Sequence, residues 1–423
     1  MEAVQPKAVI VGIQLQNDTN FAYSMEELSN LAAACDIEVA AELSQKSSRV
    51  NPSHYLGTGK IQELALLMDQ HEATVAIFND ELSPSQIRNL ESALDREVID
   101  RTILILNIFA QRAKTKEAQL QVEVAQLQYM LPRLTGLRES LGRQGGGSGL
   151  KNRGAGETKL ELDRRRIEER ISALQTELQA QVSRRQIQRK QRHKNEVPVV
   201  CLVGYTNTGK SSLMNTLVET YHPGSAKSVL AKDMLFATLE TSVRSIELPG
   251  HKTFLLTDTV GFVSQLPHHL VKAFRSTLEE VTEADLLIHV VDIADPQHEQ
   301  HMAVTQETLK ELGADNIPMV YAYNKADLTG QPYPQVEENS VTLSALQNRG
   351  IKELVNLIRS RIFTDYVHCE ILIPFDQGSL VSYFNEHADV QAVSYEEQGT
   401  RLKLECRAAD YERFKDDFIE LSQ

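Results

Sequence analysis

The residues best suited to chemistry are Lys210 and Ser211, which close the run Gly204-Tyr205-Thr206-Asn207-Thr208-Gly209-Lys210-Ser211. This pattern suits a phosphate chain. The two glycines let the backbone turn tightly with successive N–H groups pointing inward, the lysine reaches the β- and γ-phosphates, and the serine hydroxyl is a ligand for Mg²⁺. The context agrees, because an apolar strand at 199–203 runs into the loop and a helical pattern with Leu213, Leu217 and Val218 leaves it. A chance glycine-rich turn is the bland alternative, and it does not account for the complete Gly-Lys-Ser ending.

Further candidates follow in order, each beside a strand-like stretch. Leu235-Phe236-Ala237-Thr238-Leu239-Glu240 precedes a strand at 243–248 and offers Thr238 as a second hydroxyl for Mg²⁺. A strand at 253–256 leads to Asp258-Thr259-Val260-Gly261. Asp258 can hold the hydration shell of the metal, and the Gly261 N–H can meet the γ-phosphate. That contact exists only with a triphosphate, so the segment can switch on hydrolysis. The catalytic positions are therefore Lys210, Thr238 and Gly261, with Ser211 and Thr238 as metal ligands.

The base-reading residues decide between GTP and ATP. A strand at 317–323 ends at Asn324-Lys325-Ala326-Asp327, and Ser344-Ala345-Leu346 follows a strand-like 340–343. Asp327 can accept from N1 and N2 of guanine, a pattern adenine does not offer. Asn324 braces the site and contacts the base edge, Lys325 lays its stem across the ring, and an N–H of the Ser344–Leu346 turn can meet guanine O6. GTP, with GDP as product, is the nucleotide this order predicts, and strand ends are where such sheets bind ligands. Many related sites carry a water-positioning glutamine just after the glycine. Phe262 stands there instead. An apolar ring cannot orient water, so slow unaided hydrolysis or a group supplied in trans is expected.

The elements that position these residues read as an α/β chain in four parts. Residues 1–111 alternate strands (7–15, 37–43, 74–78) with helices (24–35 capped by Ser24, 61–70, 85–96), which predicts a small domain around a mainly parallel sheet. The stretch Tyr55-Leu-Gly-Thr-Gly-Lys60 opens a helix; it could receive an anion, but a helix-entry turn is the plainer reading. Residues 112–196 carry two apolar stripes, Ala113-Leu120-Val124-Leu127-Leu131-Leu134 and Leu160-Ile167-Ile171-Leu174-Leu178-Val182, which predict an antiparallel helical hairpin. Pro132 is expected to end or kink the first helix. The connection, Arg143 to Glu157, is glycine-rich and basic, and reads either as functional or as a plain linker. Residues 197–364 form a phosphate-loop domain with a mostly parallel sheet and helices on both faces. Residues 365–423 read as a small α+β domain: strand 369–373, helix 379–386, strands 390–395 and 401–406, helix 410–421. It shows no catalytic constellation, so docking is its default role.

Charge is distributed unevenly. The 423-residue chain carries a net −14, yet Arg112–Lys194 holds 19 Lys and Arg against 9 Asp and Glu, leaving 25 against 49 elsewhere. A basic middle in an acidic chain points to one polyanion-facing surface rather than a general nucleic-acid binder, with a solvated helical face as the alternative. The four cysteines, Cys35, Cys201, Cys369 and Cys406, show no metal or redox spacing and read as buried thiols in a reducing compartment. His298, His301, His268 and His269 read as polar residues on the surface. The first residues lack the basic region and the small-residue cleavage site of a signal peptide, and no apolar run reaches the roughly 18 residues of a membrane span. A monomeric cytoplasmic protein is expected, with part of it at ribosomes or at the membrane.

The sequence resembles the HflX-type GTPases, in the Obg-like branch of the translation-factor-related GTPases, over essentially its whole length. The specific pieces are His54-Tyr-Leu-Gly-Thr-Gly-Lys60, Asp100-Arg-Thr102 with Ile108-Phe-Ala-Gln-Arg-Ala113, and Ala118 to Leu134. Gly154-Ala-Gly-Glu-Thr158 followed by Leu162-Asp-Arg-Arg165 adds to them, as do the phosphate loop, Phe236-Ala-Thr-Leu239 and Asp258-Thr-Val-Gly-Phe262. Where the family commonly has Arg-Gly-Pro-Gly-Glu, Ala155 replaces the proline. The resemblance implies a GTPase that binds the large ribosomal subunit and its RNA and splits stalled or stressed ribosomes. It also implies a hairpin reaching the peptidyl-transferase region and hydrolysis stimulated by ribosomes. An assembly chaperone gated by GTP, holding ribosomal RNA without splitting, is one alternative, and a regulatory switch whose acidic surfaces recruit another protein is a second.

Overall fold

The computed structural model describes residues 5–16, 18–144, 153–194, 197–222, 235–236, 238, 241–250, 252–265 and 280–421, the side chains of 134–144, 153–160 and 182–194 excepted. They belong to two compact units. One comprises Met1–Gln191, Lys232–Glu240 and Val260–Glu279, the other Arg192–Ala231, Thr241–Thr259 and Glu280–Gln423.

The first unit is built on a four-stranded parallel sheet. Its strands β1 (Lys7–Leu15), β2 (Glu38–Ser47), β3 (Val75–Phe78) and β4 (Glu97–Asp100) lie in the order β2-β1-β3-β4. Every residue of β3 is buried, as suits the inner strand of a covered parallel sheet. Around the sheet run α1 (Phe21–Ala34), α2 (Thr58–Gln70), α3 (Pro84–Leu94) and α4 (Arg101–Arg112). Ser83 and Gln86 form a capping box that starts α3.

Several expectations change. The first helix begins at Phe21, so Ser24 is not its cap; its hydroxyl instead bonds the Asn79 amide at 2.8–3.1 Å. The turn at Tyr55, by contrast, is the helix entry that was the plainer reading: the Tyr55 N–H and C=O pair with Asn51, and Gly57 caps α2. The strand β4 and helix α4 were not anticipated, because a four-residue strand running straight into an apolar helix has no turn between them to mark it. Asp100 makes that junction. Its carboxylate accepts from the Ile103 N–H at 3.0 Å, which caps α4, from the Leu82 N–H at 2.9 Å and from the Tyr129 hydroxyl at 2.5 Å.

The hairpin is formed by α5 (Lys116–Gln144) and α6 (Arg153–Lys194). Leu120 and Val124 pack on Leu174, with Leu127 and Leu178 alongside. The ion pairs Lys116–Glu177 (3.5 Å) and Glu123–Arg170 (2.7 Å) run in opposite directions along the two helices, so they are antiparallel as predicted. Pro132 sits inside α5 and does not end it. Arg153 to Glu157, expected in the glycine connection, already belong to α6, and 145–152 lie outside the described residues.

The second unit holds a seven-stranded sheet: β5 (Val199–Val203), β6 (Ser242–Leu248), β7 (Lys252–Asp258), β8 (Leu286–Asp292), β9 (Met319–Asn324), β10 (Gln335–Val336) and β11 (Ser340–Thr342). The order is β10-β11-β9-β8-β5-β7-β6, with only the two edge pairs antiparallel. Helices α7 (Lys210–Tyr221) and α9 (Ile351–Ile362) share one core with Leu286, Ile288 and Val290 of β8, and α8 (His298–Leu312) also packs on that strand. A second, antiparallel sheet follows in the order β13-β14-β12-β15, from β12 (Tyr366–Ile373), β13 (Asp389–Glu396), β14 (Gly399–Arg407) and β15 (Ile419–Glu420). The helices α10 (Gly378–His387) and α11 (Ala408–Arg413) cover it. The last helix was expected to reach Leu421. It stops at Arg413, and the chain returns as β15 against β12. Among the described residues no helix is long and apolar enough to cross a membrane.

Candidate nucleotide-binding site

The second unit gathers Gly204–Ser211, Asp258, Thr259, Asn324–Asp327 and Ser344–Leu346 at the carboxyl ends of its parallel strands. Packing imposes both loop glycines. A Cβ at Gly204, where φ is +143°, would lie 2.3 Å from the Val290 carbonyl oxygen; one at Gly209, where φ is +91°, would lie 2.4 Å from the Asn324 amide nitrogen. Within the loop the Thr208 hydroxyl donates to the Tyr205 carbonyl at 3.0 Å, and Asn207 adopts a left-handed φ of 61°. Thr206 is buried.

Lys210 opens α7 and is almost wholly buried. Its ammonium donates to the carbonyls of Gly204 (3.1 Å) and Tyr205 (2.6 Å). Burial lowers its pKa to about 8, against the opposing pull of Asp258. The Ser211 hydroxyl donates to Asp258 Oδ2 at 2.6 Å, and the Thr259 hydroxyl to the Leu202 carbonyl at 2.6 Å. A hydroxyl and a carboxylate thus converge beside the lysine, and hard oxygen donors are what Mg²⁺ takes.

Asn324 ties the loops together. Its amide nitrogen donates to the Thr208 carbonyl at 2.9 Å, and its amide oxygen accepts from the Ala345 N–H at 2.9 Å. One side chain thereby fixes the phosphate loop against the Ser344–Leu346 turn. The Ala326 N–H reaches the Leu343 carbonyl at 3.2 Å, which joins the same turn to Asp327's short helical turn. Ser344 and Ala345 are buried, while Leu346 is 87% exposed. Asp327 is half-buried.

Two participants were not legible beforehand. Asp292 closes β8 beside Asn324 in register, and its carboxylate pairs with Lys325 at 2.7 Å, holding a lysine whose backbone is left-handed. A strand-end acid aligned with Asn324 is the signal that would have found it. His301 is the second, and it corrects the surface reading. It is buried on α8, stacked on the Tyr205 ring at 3.9 Å between centroids and 8° between planes. His298 is partly buried, with Nδ1 2.8 Å from the Asp295 carbonyl oxygen. His268 and His269 lie outside the described residues.

Phe236, Thr238, Val260 and Gly261 belong to the first unit. There Phe236 is buried with a left-handed φ of 52° and meets the Phe109 ring edge-on at 4.8 Å. Phe262 is buried, and Arg101 donates to the Ser264 carbonyl at 3.2 Å. Thr238 is half-buried. Ala237, Leu239 and Glu240 lie outside the described residues.

Known families match the chain in four consecutive stretches. GTP-binding GTPase N-terminal covers 22–110, GTP-binding GTPase Middle Region 112–192, 50S ribosome-binding GTPase 199–325, and HflX C-terminal domain 333–415. The GTPase HflX of Caldanaerobacter subterraneus subsp. tengcongensis is 42% identical over 396 residues, 94% of this chain and 90% of that protein. That of Escherichia coli is 37% identical over 414 residues, 96% and 95% of the two. Among solved structures, a GTP-binding protein from Sulfolobus solfataricus in complex with GDP is 24% identical and covers 84% of this chain and 98% of that one. Its TM-score is 0.45. Identity at this level along nearly the whole length, with the phosphate loop and both flanking regions matched in order, makes the chain a member of the HflX family of GTPases.

Proposed function

We propose that the protein binds GTP and Mg²⁺, hydrolyses GTP to GDP and phosphate, associates with the large ribosomal subunit and splits stalled or stressed ribosomes. The observation that carries the nucleotide reading is the Asn324 amide, bonded on one side to the phosphate loop and on the other to the Ala345 N–H. It sets the distance between a phosphate-binding and a base-reading element, which a single nucleotide must span. The loop 204–211 takes the phosphates, with Lys210 on the β- and γ-phosphates. Asp327 accepts from guanine N1 and N2, Lys325 lies along the ring, and an N–H of the 344–346 turn meets O6. Ser211 and Thr238 would ligate Mg²⁺, with Asp258 holding its water shell; the metal would neutralise charge between the phosphates. The N–H of Gly261 marks the triphosphate. No glutamine follows Gly261, and the Phe262 ring is buried, so hydrolysis depends on a group from outside.

The ribosomal reading is supported by the basic segment Arg112–Lys194, which forms a hairpin whose second helix has 42 residues, about 60 Å at 1.5 Å each. A basic arm of that length suits a crowded RNA surface. We also propose the four-part division 1–111, 112–196, 197–364 and 365–423 as the working one. Sedimentation of intact ribosomes with the protein and GTP tests the function. Conversion to free subunits, with hydrolysis accelerated at least about tenfold by ribosomes, is the expected result. Co-sedimentation without conversion would favour a chaperone holding ribosomal RNA, and no association would overturn the ribosomal reading.

A further inference from the structure

The cysteines show no redox spacing in the sequence, yet two of them meet in the second unit. Cys369 on β12 and Cys406 on β14 are 37 residues apart and their sulfurs are 4.0 Å apart. The antiparallel register sets Cys369 against Leu404 and Val367 against Cys406, so the two thiols lie diagonally on the same face of adjacent strands. Cys406 is buried in the core of that sheet, and Cys369 is partly exposed at its margin. One thiol is therefore open to a small oxidant and the other is sheltered directly behind it.

We propose that Cys369 and Cys406 form a redox-active dithiol, oxidised by hydrogen peroxide to an intramolecular disulfide that fastens β12 to β14. The Cys369 thiolate attacks the peroxide O–O bond, becoming a sulfenic acid as hydroxide leaves and is protonated to water. The Cys406 sulfur then attacks the Cys369 sulfur, loses its proton and expels the sulfenic oxygen as a second water. Two thiols give up two electrons and two protons, and one peroxide becomes two waters. Rotation of the two side chains must shorten the gap to the roughly 2.05 Å of a disulfide.

The chemistry of the four thiols favours this pair. The hydrogen bond with Cys406 lowers the pKa of Cys369 below the ordinary thiol range, and the same bond together with burial raises that of Cys406. Burial pushes Cys35 up to about 12 and Cys201 well above its ordinary value, so these two serve as internal controls. The position has a consequence for the unit. Glu405, adjacent to Cys406, binds Lys252 of β7 at 2.5 Å and Arg359 of α9 at 2.6 Å, so the disulfide would form on the strand that ties the antiparallel sheet to the nucleotide-binding one.

The test exposes the full-length protein to hydrogen peroxide, blocks free thiols by alkylation, and reads intact mass and a non-reducing peptide map. The expected outcome is loss of two of the four thiols, read as two alkyl groups fewer than on the unoxidised protein alkylated alike, a peptide linking Cys369 to Cys406, and full recovery with dithiothreitol. Cys406→Ala should stop at a sulfenic acid on Cys369 that dimedone traps, and Cys369→Ser should slow oxidation at least about tenfold. The mass and map of the unsubstituted protein decide the question even if a variant misfolds. Four free thiols after about tenfold excess peroxide, a Cys369 that over-oxidises without closing the bond, or a link between two chains would each overturn the proposal.

Discussion

Two regions of the second unit each bury a lysine and treat it in opposite ways. At the junction with the antiparallel sheet, Lys252 is 1% exposed, bonded to Glu405 at 2.5 Å and set over the Tyr366 ring at 4.4 Å; Arg359 completes the pair at 2.6 Å. In the phosphate loop, Lys210 is 6% exposed, and its bonding partners are the carbonyls of Gly204 and Tyr205. Asp258, the carboxylate that acts on it, already accepts from Ser211. A buried lysine given an anion holds the fold together. One bonded only to dipoles, with its nearest carboxylate engaged elsewhere, keeps its charge for an anion that arrives from outside, and the fold gives up stability to keep it there.

The largest effect expected from this contrast is on nucleotide binding. Lys210→Met should weaken GTP and GDP by at least about 150-fold, since two charge-assisted bonds are worth roughly 3–6 kcal/mol. Unfolding should show the opposite sign. With a native pKa near 8 and an ordinary value of 10.5, the unfolded chain binds more protons between those pH values. The wild type therefore gains stability as pH rises through that window, and the variant lacks that gain. Denaturant melts at pH 7 and pH 9.5, beside a titration with a fluorescent GTP analogue, separate the two. A variant that binds normally would erase the distinction between the lysines.

Lys252→Met should do the reverse. It removes the fully buried partner of Glu405 and leaves it the partly exposed Arg359, so unfolding should become easier by about 3 kcal/mol, with GTP affinity within about twofold of wild type. Adding Glu405→Gln should recover much of the loss, because the under-compensated buried charge goes with it. Burial raises the Glu405 pKa, but the bond and charge of Lys252 together with the charges of Arg359 and His368 outweigh this and hold it below its ordinary 4.5. The stability from this carboxylate is thus present above pH 4.5 and is lost as pH falls through its native value. A Lys252→Met protein as stable as wild type would show that Arg359 alone satisfies the site.

The smallest effect concerns His289, on β8. It is buried, and burial, helped by the charge of Lys210, lowers its pKa from 6.5 to about 4. The unfolded chain binds the extra proton between those values, so stability falls on acidification. From pH 6.5 to 5 the loss should be about 1.5–2 kcal/mol. His289→Phe should flatten that part of the profile, and an unchanged slope would mean the histidine is protonated in the native state.

The phosphate loop and the Asn324–Asp327 segment were legible because their demands are local. Glycine where a Cβ would collide, and polar residues at the ends of apolar strands, leave marks in a few consecutive residues. The hairpin was legible for the same reason, since Leu120, Val124, Leu174 and Leu178 keep helical spacing. What escaped depends on residues far apart in the chain. Asp292 matters only because β8 and β9 bring it to Lys325, and His301 because α8 lays it on Tyr205. Cys369 and Cys406 meet only through the register of β12 and β14. The misplaced ends have a plainer cause: Pro132 is carried within α5, and the last helix yields to a strand because Ile419 and Glu420 find the free edge of β12.

The claim that the site reads guanine is tested most directly by measuring GTP and xanthosine triphosphate affinities for the wild type and for Asp327→Asn. The substitution inverts the donor and acceptor pattern offered to the base edge. GTP binding should weaken by about 10- to 150-fold, the roughly 1.5–3 kcal/mol of a hydrogen bond to a charged group, and xanthosine triphosphate binding should improve. Unchanged GTP affinity, or equal loss for both nucleotides, would contradict the assignment.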